Sequence, residues 1–408
     1  MILNQELSKK MAYLIKHLNT SFPKESVFGI GLKSDFCVGV GITSQLTLNE
    51  SGNEAWQKIN DYLLHNRGHW VSGYIGYDIL NDGITANQNV AIPIVHLISP
   101  DTVYEVNELG IVCSLSGKLK TTKPDYFDSK KFKLKPIVSL ANFDTDLDNE
   151  YLTCVRKAHD WVIQGQECTR RMTVSRRINF KMPFDLVQSV VPFQNEPETS
   201  VPCYWRSNYV EFAGVSPERT FYKESGSDVY HCQKVSGTFA RDKISSQDHI
   251  LMQTFLSDTK NNNEHDISVV SLIDGVEKVG DISNRQKELL DMPSIRHFLT
   301  SFDILLEKDK NVTDICQALY TKGVQPIEDG LKKLFQFEPN SRGAYYGIFF
   351  IQTPSGIVSG THIIRMLFHD ITADTYYTHC GACITSGSDL LDEYKETQLK
   401  LSSIVARM

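Results

Sequence analysis

The sequence lacks any run of about 18 uninterrupted apolar residues, the minimum for a helix that crosses a bilayer. Its first residues, MILNQELSKKMAYLIKHL, also lack the apolar block followed by small residues that marks a signal peptide. A cytoplasmic protein without membrane contact is expected. There is no basic excess either: 42 Lys and Arg stand against 49 Asp and Glu, a net charge of −7, with the two signs interspersed. That balance supplies no general attraction for nucleic acid or for an anionic membrane. The nine cysteines are an odd number scattered from Cys37 to Cys383, and a chain of 408 residues builds a core without disulfide staples, so reduced thiols are expected. Cys380 and Cys383 have C-x-x-C spacing, but no second pair exists to complete a four-ligand zinc site. No repeat, low-complexity linker or proline-rich hinge divides the chain.

What is present suffices for a large core. Hydrophobic residues make up 41% of the chain, with 20 Phe and 17 Tyr among them, which excludes wholesale disorder. Residues 1–145 alternate short β-rich runs with turn signals: SVFGIGLKS, FCVGVGI, WVSGYIGYDIL, NVAIPIVHLI and GIVCSLSGKL are each bounded by Gly, Pro, Asn or Asp. From Glu150 the period changes. YLTCVRKAHDWVI places apolar residues three and four apart, an amphipathic helix that ends at Gly165 ahead of the extended run MTVSRRINF. Further helices are predicted over 244–257, 261–274, 313–319, 327–337 and 389–406. Strands are predicted over 208–214, 218–224, 228–235, 276–281, 344–352, 362–370 and 376–385. These elements fit an α+β fold of large antiparallel sheets with helices on their outer faces. It would have a sheet-rich half over 1–145 and a core over 146–408, joined as one compact unit.

Four clusters stand apart from ordinary core and surface. In GVSPERTF, Pro217 fixes a turn and Glu218 opens the next strand; alone, such a carboxylate is an ordinary solvated group. In DTKNNNEHDISVV, Glu264 and His265 sit one turn past Lys260, and Asn261, Glu264 and, less directly, Asp266 and Ser268 offer a polar helical face. In DLLDEYKETQLKLSSIV, Glu393 and Glu396 are helix neighbours whose charges repel unless a cation lies between them or between them and another carboxylate. Magnesium, which takes oxygen ligands and keeps several waters, is a candidate for that cation, and Glu264 with Glu396 a candidate pair of ligands. The fourth cluster is a set of cations among apolar or small residues, RRMTVSRR, KVSGTFAR, RHFLTS, RGAYYG and IIRML. Arg365, in THIIRMLF, needs a carboxylate partner from the protein or from a substrate.

In this order the clusters resemble the chorismate-utilising enzymes: anthranilate synthase component I, aminodeoxychorismate synthase, aminodeoxyisochorismate synthase, isochorismate synthase and salicylate synthase. The similarity runs from about residue 150 to the C-terminus, with an echo in GYIGYD at 73–78. Ser216-Pro217-Glu218 matches the family's S-P-E, and Ser236-Gly237-Thr238 its A-G-T. Lys260, Asn261, Glu264 and His265 match K-E-x-x-E-H, and His297 a lone histidine. Arg342, Gly343, Tyr345 and Gly347 match R-G-x-Y-x-G, Ile364-Arg365 matches I-R, and the closing G-A-G-I and E-x-x-E-T fit Gly381 to Ile384 and Glu393 to Thr397.

The resemblance implies a magnesium ion on Glu264 and Glu396, supported by Glu393 and Lys260, that binds the ring carboxylate of chorismate. It makes Glu218 the acid that protonates the departing 4-hydroxyl and Arg365 with Tyr345 the clamp on the enolpyruvyl carboxylate. Gly237, Thr238, His297, Thr321 and Gly381 would line the ring site. Several positions depart from the pattern. Arg171 stands where water-using members carry a lysine base and ammonia-using members usually glutamine, and a guanidinium is a poor base. Ser236 stands where para-aminating members have a nucleophilic lysine; Asn261 replaces a carboxylate, Cys383 a glycine and Ile327 a lysine. The expectation is amination at C2, as in anthranilate or aminodeoxyisochorismate synthase, with ammonia drawn from a separate glutaminase subunit or from solution. Isochorismate or salicylate synthesis, which would need another base such as His297, and chorismate binding without this chemistry, are the alternatives.

Overall fold

The computed structural model describes residues 5–81, 92–108, 110–119, 148–165, 170–181, 183–192 and 196–405. The expected boundary at 145, and the first residues of NVAIPIVHLI, lie outside them. In chain order the first elements are α1 (Gln5–Ser21), β1 (Val27–Gly31), β2 (Phe36–Val40), β3 (Ser44–Leu48), α2 (Gly52–His65), β4 (Val71–Ile75), β5 (Val95–Ser99), β6 (Thr102–Asn107) and β7 (Gly110–Leu115). There follow α3 (Asn149–Gln164), β8 (Arg171–Asn179), β9 (Val201–Arg206), β10 (Val210–Ser216), β11 (Phe221–Lys223), β12 (Val229–Ala240), α4 (Ser245–Ser257), α5 (Thr259–Val276), β13 (Gly280–Asp291) and β14 (Ile295–Leu306). The chain closes with α6 (Val312–Leu319), β15 (Val324–Gln325), α7 (Ile327–Phe337), β16 (Ile348–Gln352), β17 (Val358–His362), β18 (Met366–Asp370), β19 (Thr375–Ile384) and α8 (Leu390–Val405).

The strands form two antiparallel sheets, one of ten in the order β15-β8-β19-β18-β10-β9-β1-β2-β6-β7 and one of nine in the order β13-β14-β12-β11-β17-β16-β4-β5-β3. Both sheets mix strands from either side of residue 145: β1 pairs with β9, and β4 with β16. The period of two along each strand divides the core. Phe349 and Ile351 of β16 join Tyr74, Trp205, Phe212 and Phe368 in an aromatic layer between the sheets, whereas Ile348 and Phe350 turn out toward α2 and α6. On β1, Phe28 and Ile30 face the same inner layer and Val27 faces α1. The α+β class and the outer placement of the helices agree with the sequence.

The sheet-rich reading of the first 145 residues overlooked two helices. Leu7, Met11, Leu14, Ile15 and Leu18 of α1, and Ala55, Trp56, Ile59 and Leu63 of α2, recur at helical spacing and are buried. Three expected strands were also too long. Residues 218–220 precede β11, 344–347 form a turn before β16, and 362–370 is two strands joined by a turn in which Arg365 takes φ 59°. Glu218, Tyr345 and Arg365 all lie in these connections, where the side chain is not bound to a sheet face. The strand expected over 276–281 begins only at Gly280, because α5 continues to Val276.

The GYIGYD motif braces this arrangement. The Tyr77 hydroxyl donates to the Lys322 carbonyl, and Asp78 accepts from the Ser341 hydroxyl and the Gly343 amide. Gly73 has φ 150°, and a β-carbon there would lie 2.0 Å from the His96 carbonyl oxygen. Arg342 is buried against the Tyr77 ring, 4.2 Å from its centroid, and binds Glu338 at 2.7 Å and the Thr173 carbonyl at 2.6 Å. Replacing Arg342 by Leu leaves Glu338 charged and buried. Denaturant unfolding is expected to show a loss of about 3–5 kcal/mol, and an unchanged midpoint would contradict the bracing role.

Candidate active site

One cavity lies between β8 and β19 of the larger sheet and β12 and β14 of the smaller, covered by α5 packed on β12 and α8 packed on β19. It is lined by Arg171, Glu218, Gly237, Thr238, Glu264, His297, Thr321, Tyr345, Arg365 and Gly381, ten of the residues singled out in the sequence. Lys260, Glu393 and Glu396 stand just behind it, linked to the lining by ion pairs. Among the charged residues of the lining, Arg171, Lys234, Arg365 and Lys400 outnumber Glu218 and Glu264, so the cavity favours an anion although the chain is acidic.

Glu218, buried in the turn before β11, accepts from the Lys234 ammonium at 3.0 and 3.1 Å and from the Val235 amide at 3.1 Å. His362 Nδ1 lies 3.3 Å from its Oε1. Burial pushes the carboxyl up, but Lys234 and His362 outweigh it and hold it at about 2. At neutral pH these partners favour the carboxylate form of Glu218.

The second acidic group joins α5 and α8. Lys260 bonds Glu393 at 2.5 Å and lies 3.9 Å from Glu396, while Lys400 lies 2.7 Å from Glu396 and donates to the Gly381 carbonyl at 2.7 Å. Burial raises Glu396, but Lys400 and Lys260 outweigh it and hold it below the usual range. Glu264 has no such partner. Burial and then the Glu396 charge push it up to about 7, and its Oε2 is buried without a hydrogen-bond partner among the described residues. That orphaned oxygen beside a second carboxylate is a donor set suited to a hard divalent cation. No cluster of three or more His, Cys, Asp or Glu is placed to hold a metal among the described residues, so a cation there would draw its other ligands from water or substrate.

Asn261 does not substitute for the expected carboxylate electrostatically. Its Oδ1 accepts from the Thr238 amide at 3.0 Å while its own amide donates to Asp258, which fastens the Gly237–Thr238 turn to the start of α5; Gly237 has φ 68°. His297 donates from Nδ1 to the Gly237 carbonyl at 2.6 Å, which leaves Nε2 to accept from Arg365 at 3.1 Å. Burial and Arg365 pull His297 down to about 3. With both ring nitrogens engaged it orients Arg365 and has no lone pair to take a proton. Arg365 also donates to the Ser403 hydroxyl, and its left-handed backbone carries about 1–3 kcal/mol of strain. Tyr345 stacks on His379 at 4.8 Å, and a β-carbon at Gly381 would sit 3.2 Å from the Tyr345 hydroxyl. Arg171 donates to the Ser268 hydroxyl at 2.7 Å, and its Nε is buried without a partner. Cys383 lines the cavity as a thiol that burial pushes up to about 12, and the eight described cysteines are free.

Four lining residues were missed in the sequence. Lys400 was signalled by its i,i+4 spacing from Glu396. Lys234 stood in the cation segment KVSGTFAR without a role of its own, and His362 carried no local signal, since it looks like the polar half of an alternating strand. His379 carried none either; its Nε2 is buried without a partner and burial holds it neutral.

Comparison with known proteins gives one family. The model of the chorismate binding enzyme family matches residues 27–406. An anthranilate synthase component I-like protein of Synechocystis is 24% identical over 365 residues, covering 84% of this chain and 73% of its own. Two solved structures share the fold. The menaquinone-specific isochorismate synthase of Escherichia coli has a TM-score of 0.71 at 16% identity, over 98% of this chain and 90% of its own. Anthranilate synthase component I of Streptococcus pneumoniae has a TM-score of 0.69 at 15% identity, over 91% and 92%.

The raised Glu264 predicts a pH signature. A carboxyl whose folded value lies above its unfolded value weakens the fold as pH rises from the usual carboxylate range through about 7. Without divalent cations, Glu264→Gln is expected to gain roughly 1–3 kcal/mol over the wild type at pH 8 and nothing at pH 4. Thermal melts check this, and a variant less stable than the wild type at pH 8 would contradict it.

Proposed function

The chain belongs to the chorismate binding enzyme family, and from that premise we propose that it converts chorismate with magnesium, adding ammonia or an amine at ring carbon C2 as the 4-hydroxyl leaves. Chorismate is a dianion with a ring carboxylate and an enolpyruvyl carboxylate, and the cavity's excess of cations suits it. Glu264 and Glu396 would hold the magnesium, with Lys260 and Lys400 fixing the α8 carboxylates. When bound, the cation neutralises the ring carboxylate and orients the ring. Arg365, fixed by His297 and Ser403, and Tyr345, seated on His379, receive the enolpyruvyl carboxylate. The Glu218 corner lies across the same cavity, where a departing hydroxyl needs a proton.

One observation carries the amination reading. Arg171 stands at the position of the water-activating base, is buried, and already donates to Ser268. A guanidinium does not give up its proton in a protein, so it cannot activate water. Ammonia arrives with a free lone pair and needs no base. Relatives include a component I-like protein of anthranilate synthase, so a separate subunit is a candidate source of ammonia. Water addition, giving isochorismate, is favoured by the unpartnered Nε2 of His379.

With chorismate and magnesium, the wild type is expected to yield an aminated product when ammonium is supplied and little isochorismate without it, resolved by chromatography and mass. Arg171→Lys is expected to raise ammonium-independent isochorismate formation by roughly tenfold or more. Efficient isochorismate formation by the wild type, indifferent to ammonium, would overturn amination in favour of His379.

A further inference from the structure

Arg171 is a buried cation that the protein leaves largely unanswered. It opens β8, is 5% exposed and lines the cavity. Of the five N–H donors on its guanidinium, one meets the Ser268 hydroxyl at 2.7 Å, and Nε is buried with no partner. No carboxylate among the described residues forms an ion pair with it. A charge buried without a counter-charge is costly, and arginine does not escape that cost by losing its proton. Its place in the cavity matters as well. Ser268 and Glu264 are four residues apart on α5, on one face and a single turn from each other. The guanidinium therefore lies about one helical turn from the carboxylate proposed to hold the metal and, through it, the carboxylate on ring carbon C1. C2 is the next ring carbon, so a group entering there comes within reach of Arg171. The charges point the same way. Lys234 pairs with Glu218, and Lys400 with Glu396. Magnesium and Arg365 bring three positive charges, which Glu264 and the two carboxylates of chorismate match. Arg171 is left over, and ammonia, being neutral, does not answer it.

We propose that the nucleophile is an α-amino acid rather than free ammonia, and that Arg171 selects it by binding its carboxylate. This deepens the function proposed above and rests on it. A guanidinium offers a planar fork that matches a carboxylate with two parallel N–H···O bonds. An α-amino acid holds its nitrogen one carbon from that carboxylate, so the bound fork presents the nitrogen to C2 and fixes its approach. The amine reacts as the free base. Its lone pair forms the C2–N bond, the two ring double bonds each shift by one position, and the C4–O bond breaks. The leaving oxygen takes a proton at the Glu218 corner and departs as water, while the new ring ammonium releases one to solvent. Chorismate and the amino acid thus give an N-substituted amino acid and water, with no further reactant. Ser268 is a positioning residue: its hydroxyl accepts from one side of the guanidinium and leaves the other donors for the ligand.

Full-length wild type with chorismate and magnesium is given the common α-amino acids one at a time, and ammonium, methylamine and glycinamide as amines without a carboxylate; products are resolved by mass. An amino acid is expected to give a product heavier than chorismate by its own mass less one water. Its kcat/KM is expected to exceed that of ammonium by about 10–10²-fold. Arg171→Gln is expected to erase this preference by raising the KM for the amino acid about tenfold or more. Binding is read separately by calorimetry. Propionate, a carboxylate with no amine to react, is expected to bind the wild type loaded with chorismate and magnesium but not Arg171→Gln, a difference that a merely structural arginine would not produce. If Arg171→Gln does not fold, Arg171→Lys, which keeps the charge and lacks the fork, is measured in its place and is expected to keep only part of the preference. Ammonium used better than every amino acid, or a preference and propionate binding unchanged in the variant, would overturn the proposal. A wild type that binds no chorismate, or yields no aminated product with any amine, would instead overturn the function on which it rests.

Discussion

Four carboxylates, three of them buried and the fourth nearly so, can gather around one cavity because cations lie against all but one of them. Glu218 is held by Lys234, Glu393 by Lys260 and Glu396 by Lys400. Removing one partner from such a pair leaves a desolvated charge, whereas the intact pair fixes both side chains in place. Glu264 is the exception, with no lysine at ion-pair distance among the described residues; its Oε2, like Oε2 of Glu393, is buried without a hydrogen-bond partner. The geometry of the cavity and its preference for an anion follow from this pattern of three compensated carboxylates and one uncompensated, the one proposed to take a divalent cation.

The two sheets supply the rigidity that the pattern needs. The aromatic layer between them holds the strands at fixed separation, with Tyr74, Trp205, Phe212 and Phe349 meeting edge to face. Site residues sit where strands end or helices cross over them. Arg365 lies in the turn between β17 and β18, Tyr345 in the turn before β16, and Glu218 between β10 and β11. Loops carried on a stiff scaffold can hold strained conformations, as the left-handed Arg365 does.

Much of this could be read from residue order alone, for a physical reason. Helical spacing puts Glu393 and Glu396 on one face and sets Lys260 beside Glu264, and short turn-bounded runs mark strands. What could not be read is which segments meet. Lys234 and Glu218 are 16 residues apart and face each other across neighbouring strands, and His362 arrives from 144 residues further along; nothing local marks either as a partner of Glu218. The ionisation of Glu218 could not be read for the same reason: a carboxyl becomes an acid or a fixed anion according to what is packed against it. Helices α1 and α2 were legible in their apolar spacing and were passed over because the surrounding segments are rich in strands.

If the uncompensated Glu264 marks a cation site that serves an anionic substrate, the two ligands must assist one another, and by the same factor in either order of addition. Calorimetric titration of chorismate in the presence and absence of magnesium tests this most directly. The account predicts that magnesium tightens chorismate binding and that chorismate tightens magnesium binding equally, with both effects lost in Glu264→Gln. Chorismate affinity that is the same with and without magnesium, or no chorismate binding in either condition, would contradict it.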